Sequence, residues 1–189
     1  MLKEFIDFAE SVLPSVDPDL RDGAKKAITQ FEREGKQVNL LAAKPLEDLS
    51  QGDIISNVPF AFFDKNGNQK TFTAAAFVLS TSCHIDQKDK LILAPILPLD
   101  AYENKNIDDL KKNTVFDYMY ISDGCMKDKF INFQIMTTYN KELITSGLEN
   151  GKLQRTASLN QIGYYFFVVK LTVYFMRKED SDTLKHRSA

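Results

Sequence analysis

Phe77-Val-Leu-Ser-Thr-Ser-Cys-His-Ile-Asp86, followed after a lysine-rich turn by Leu91-Ile-Leu-Ala-Pro-Ile-Leu-Pro98, decides how this chain is read. Ala75 to Leu79 and Leu91 to Leu97 lack polar alternation and are rich in branched residues, the pattern of strands covered on both faces. Both are expected at the centre of a sheet. The loop between them gathers Cys83, His84 and Asp86 within four positions, so a function would sit most naturally there.

Upstream, Val58-Pro59-Phe60-Ala61-Phe62-Phe63 and Thr71-Phe72-Thr73-Ala74 flank Asp64 to Gln69, in which Asn66-Gly67 supplies the positive φ angles of a hairpin turn. Pro59 marks an edge or a bulge, because proline has no amide to give to a ladder. Downstream, Val115 to Ile121 and Phe130 to Thr137 bracket Ser122 to Lys129, a second hairpin by the same logic. The polar segment from Tyr102 to Asn113 is expected to hold a short helix around Ile107 to Lys111. Five or so short strands with hairpin connections read as a small antiparallel barrel or a strongly bent sheet.

Helices flank this region. Leu2, Phe5, Ile6, Ala9, Val12 and Leu13 recur at helical spacing over residues 2–13, and Pro14 ends the run. A second helix is expected from an Asp17 cap and Pro18 to Gly35, with Leu20, Ala24, Ala27, Ile28 and Phe31 on one face and Gly23 weakening it slightly. At the other end, Ser158 and Gln161 fit a capping box ahead of a helix that is apolar nearly all round from Ile162 to Met176. One face of it can cover the sheet; the rest must meet the N-terminal helices or a second subunit. It is too short for the roughly 20 residues a bilayer needs, and Lys170 sits in its middle. The division expected is a helical segment over 1–45, a β domain with its C-terminal helix over 46–178, and a polar, solvated tail over 179–189.

With 189 residues, of which 43% are hydrophobic, the chain can bury one sizeable core. A formal charge of −2 argues against a non-specific polyanion binder. Two cysteines, Cys83 and Cys125, make no disulfide framework, and free thiols suit a reducing compartment. The N-terminal residues Met1 to Asp7 mix acids into the apolar positions and lack the basic start of a signal peptide, so the protein is expected in the cytoplasm.

His84 and Asp86 lie two apart, and in extended conformation both side chains would point the same way. A carboxylate beside an imidazole orients it and raises its basicity, as general acid–base chemistry requires. The plainer reading makes His84 a loop residue and Asp86 a turn cap, and it is preferred because a single His-x-Asp arises readily by chance. Cys83 is read as buried and inert rather than as a nucleophile, since adjacent residues on a strand face opposite ways. Cys83, His84 and Asp86 are too few and too cramped for zinc, and no metal or cofactor is expected. Lys65, Lys70, Lys88, Lys90, Lys127 and Lys129 fall in turns that could share one rim. Asp64, Asp86, Asp89, Asp123 and Asp128 are interleaved with them, so a solvated mixed-charge rim is the favoured reading. Tyr118, Tyr120 and Tyr139 could stack bases, although strand aromatics more often pack a sheet.

Gly52-Asp53-Ile54, the glycine-bearing hairpin, Val78-Leu79-Ser80 and Leu93-Ala94-Pro95-Ile96 together resemble the core of the PemK/MazF growth-inhibitor family, over residues 52–98. The resemblance implies an SH3-like barrel, a homodimer and a toxin that cleaves RNA without metal. The family's Arg-Pro pair before the Val-Leu-Ser strand is Ala75-Ala76 here, and its threonine after Pro-Ile is Leu97. Loss of that arginine removes the usual stabiliser of charge developing on phosphate. The Gly-Asp-Ile, Val-Leu-Ser-x-Ser-Cys and Ala-Pro pattern is also similar to a group of larger bacterial proteins that continue into a long C-terminal helix and have no assigned activity.

The expectation is therefore an α+β protein, an SH3-like barrel flanked by two N-terminal helices and a long buried C-terminal helix. Its expected role is a non-catalytic binding or assembly module for a protein partner or for itself, in a toxin–antitoxin or phage-defence setting. The alternative is a metal-independent endoribonuclease acting on RNA, with His84 and Asp86 as acid–base pair and Lys70 or Lys88 as electrostatic stabiliser.

Overall fold

A computed structural model describes residues 39–103 and 106–176, together with 22, 23, 25, 26, 29, 30 and 33 and, near the C-terminus, 183, 186 and 187. The fold is α+β. Seven strands, β1 (Asp53–Phe63), β2 (Gln69–Val78), β3 (Lys90–Pro98), β4 (Tyr118–Tyr120), β5 (Lys129–Asn132), β6 (Thr137–Asn140) and β7 (Arg155–Ser158), form one antiparallel sheet. Its order is β4-β5-β3-β2-β1-β7, with β6 also on β3. Helices α1 (Ser82–Gln87), α2 (Ile107–Lys111), α3 (Lys141–Glu149) and α4 (Gln161–Met176) accompany it.

As expected, β2 and β3 are central and covered on both faces. Alternate residues divide between two cores: Phe77, Ala94 and Ile96 face α4, while Ala76, Val78, Leu91 and Leu93 face the opposite side with Phe60, Tyr139 and Ile144. Phe77 meets Phe167 of α4 edge-on at 5.0 Å between ring centres. The apolar helix is thus half explained by the sheet it covers. At residue 23, a side chain would run into the ring of Tyr165 on α4, so Gly23 is there to let the helical N-terminal segment approach closely.

Among the described residues the sheet is open: β4 and β7 end its main path, and β6, paired with β3 alone, ends a branch. Its curl nevertheless brings β6 opposite β1, where the Tyr139 hydroxyl donates to the Pro59 carbonyl at 2.6 Å. Burial pushes the Tyr139 hydroxyl up to about 12, so it remains a donor at neutral pH. Pro59 follows a bulge between Ile55 and Val58, at which Asn57 takes φ 61°, and stands on a stretch of β1 that β7 no longer covers. Both readings of that proline hold.

Several expectations change. The first hairpin turn takes its positive φ from Gly67 alone, with Asp64 Oδ1 accepting from the amides of Asn66 and Asn68. The strand expected over 130–137 is broken at Phe133–Ile135, where Asn132 caps a 3-10 turn that redirects the chain into β6. Ser158 is not the cap of α4. It lies inside β7, buried, and its hydroxyl donates to Asp53 Oδ1 at 2.5 Å while accepting from the Leu46 amide. Asn160 takes the capping role, its Oδ1 accepting from the Gly163 amide at 2.8 Å. The helix proposed over 2–13 lies outside the described residues. In the second, residues 22, 23, 25, 26, 29, 30 and 33 are helical, as are Thr183, His186 and Arg187 of the tail expected to be solvated.

Candidate functional site

The loop after β2 is a helix. Thr81 caps α1 by accepting from the His84 amide at 3.3 Å, and Lys141 closes its other end by donating to the carbonyls of Ile85 and Asp86. Residues two apart on a helix lie about 200° around its axis, so His84 and Asp86 point to opposite sides instead of together. Both are exposed, and the buried side chain of this helix is Ile85. Cys83 is exposed as well, which overturns its assignment to the core.

Lys88 directly follows α1 and is exposed, four positions from His84. Lys70 is elsewhere. It is the second residue of β2, near the hairpin tip and 3.8 Å from Asp64, and the eight residue steps of strand from Lys70 to Val78 span about 25 Å. Lys129 pairs with Pro98 at the hairpin end of β3, whereas Lys90 pairs with Asn140 at the other end. The turn lysines therefore divide between two ends of the sheet and build no single basic rim.

Tyr118 packs edge-on against Tyr102 and Phe130, at 5.4 and 5.2 Å, and its hydroxyl donates to Gln134. Tyr120 is buried. These aromatics pack the sheet, as the plainer reading had it. Among the described residues no three His, Cys, Asp or Glu side chains gather to hold a metal ion, and no helix is long and apolar enough to cross a membrane.

A concave site exists on a different part of the molecule. A cleft of about 580 Å³ opens where β1 and α3 face each other across the seam of the curled sheet. Pro59, Leu143 and Leu153 supply apolar surface, with Leu143 57% exposed. Asn57, Asn140 and Asn150 supply amides, and the charges are one Glu142 and one Lys152. The lining is mostly apolar and formally neutral, which suits an uncharged ligand with an apolar group better than a nucleic-acid backbone.

The cleft continues into an unpaired strand edge. The Asp64 amide donates to the Asn68 carbonyl, so in this antiparallel ladder residues 62 and 60 bond to β2, while 63, 61 and 59 turn their amide and carbonyl groups outward. Pro59 has no amide, and its carbonyl takes Tyr139. Ala61 and Phe63 keep both groups, and among the described residues no strand lies against them. Phe63 is 73% exposed.

The sequence reading missed this site, although part of the signal was present. Asn140 ahead of Leu143, Ile144 and Leu148 is a capped helical pattern, and Asn140 Oδ1 does accept from the Glu142 amide at the start of α3. The juxtaposition with β1 depends on the curl of the sheet and has no local signature. A scan against protein-family models gives no match, and a search of the curated proteins gives none either. The likeness to the growth-inhibitor family thus rests on the residues quoted above.

Proposed function

We propose that the protein is a non-catalytic binding or assembly module built on a variant of the SH3-like barrel whose seam stays open between β1 and β6. It works in the cytoplasm, in a toxin–antitoxin or phage-defence setting. The observation that carries this reading is the divergence of the candidate acid–base pair: His84 and Asp86 point to opposite sides of α1, and of the two candidate cations Lys88 stays beside that helix while Lys70 stands about 25 Å from that end of the sheet. Phosphodiester cleavage by an internal 2′-hydroxyl needs a base and a cation or dipole converging on one phosphate. Ala75 and Ala76, in place of the resembled family's Arg-Pro pair, supply none. The exposed edge of β1 beside a neutral cleft supports binding as the role.

The test is expression of the wild-type chain and of His84→Ala, followed by incubation of each purified protein with total cellular RNA in chelator. Binding without catalysis predicts no growth arrest and intact RNA with both. Cleavage that persists in chelator and disappears in His84→Ala would establish the endoribonuclease instead.

A further inference from the structure

β6 pairs with β3 and shares no ladder with β1 among the described residues; what joins the two across the seam is the Tyr139 hydroxyl donating to the Pro59 carbonyl. On one side of that bridge, Ala61 and Phe63 present outward amides and carbonyls at strand spacing. Around Pro59 and Asn57 the same edge forms a wall of the cleft beneath α3. Edge and cleft are one continuous track.

What fits such a track must carry alternating donors and acceptors in extended form and be narrow enough to enter the cleft. We infer that this seam takes an extended, uncharged peptide segment of a partner protein, added as a strand to β1 at Ala61 and Phe63 with an apolar side chain seated against Pro59 and Leu143. This deepens the binding-module reading and rests on it. The neutral lining, one Glu142 against one Lys152 among three asparagines, offers no field to a charged peptide. A second copy pairing through the same edge fits less well. In a two-fold pair centred on Ala61, each Phe63 carbonyl would meet the partner's proline nitrogen, which has no hydrogen to give, and a folded hairpin cannot enter the cleft.

The experiment is selection of a displayed library of random ten-residue peptides on the purified full chain. Binding of the selected peptides is then measured to wild type, Ala61→Pro and Leu143→Asp. Ala61→Pro removes the outward amide while keeping an extended φ and the β2 ladder. Expected are uncharged peptides rich in β-branched residues, weakened roughly ten-fold or more by each substitution, with a monomeric mass by light scattering. If Ala61→Pro fails to fold, judged by its circular dichroism, Leu143→Asp decides. Selected peptides that bind both variants as well as wild type would place binding elsewhere and overturn the inference while leaving a binding module; so would failure to enrich any peptide. A dimer dissociated by Ala61→Pro would make the occupant a second copy. RNA cleavage lost in His84→Ala would remove the underlying reading itself.

Discussion

Lys170 shows how much a single side chain in the apolar helix decides. It lies mid-α4, 5% exposed, with Nζ donating to the carbonyls of Asn113 at 3.0 Å and Val115 at 2.6 Å. Asn113 holds a left-handed φ of 55°, and its side chain ties the loop to Tyr120 through both its oxygen and its nitrogen. The lysine thus fastens α4 to the loop ahead of β4. Burial pulls its pKa down from 10.5 to about 7, with the Asp117 carboxylate opposing. A neutral amine has two N–H groups, and two carbonyls receive them. The unfolded chain keeps this proton up to its ordinary value, so between pH 7 and 10.5 unfolding takes up a proton and the folded state gains stability as pH rises. Lys170→Met abolishes that contribution. Urea unfolding of both proteins at several pH values across that window should show the wild type gaining on the variant as pH increases; parallel profiles would contradict the assignment. From the sequence, Lys170 told only against a membrane span.

At the scale of elements, α4 also shows what local pattern conveys and what it hides. Its apolar run and its approximate start were legible, because both are properties of contiguous residues. The identity of its cap was not. Ser158 and Gln161 have capping-box spacing, but Ser158 is claimed by Asp53, a buried carboxylate that also accepts from the Ser50 amide and from Arg155. Burial raises the Asp53 pKa, and these bonds hold it back. A partner 105 positions away thus outcompetes a local motif. The same contest redefined the loop after β2, where Thr81 capping and the Lys141 side chain close a helix over residues expected to be extended. Gly163 gives a sharper test of how α4 is seated. Replacing a helical glycine by alanine ordinarily stabilises by up to about 1 kcal/mol. Here the added methyl would run into the backbone carbonyl of Leu40, which cannot swing aside like a side chain. Gly163→Ala should therefore lower stability by about 1–3 kcal/mol in urea unfolding, and an unchanged or raised value would mean that α4 does not press on the Leu40 backbone.

At the scale of the whole molecule, the central strands were readable because burial on both faces leaves a continuous apolar record. Their neighbours in space were not. The seam arises from the bulge at Asn57, the break at Phe133–Ile135 and the resulting curl, each modest locally and decisive together. This moved the candidate site from the end of β2 to the outer edge of β1. An unpaired edge is normally shortened, charged or covered, since it recruits other strands. This one carries a proline at one end and an exposed phenylalanine at the other, with Ala61 between. An open seam makes a definite statement about hydrogen exchange of the free, purified protein, read amide by amide by NMR. The amides of Phe60 and Phe62, bonded to β2, should be protected, while those of Ala61 and Phe63 should exchange as exposed backbone. Slow exchange at Ala61 and Phe63 in the absence of any partner would mean that the edge is already paired, and would contradict the open seam on which the proposed binding rests.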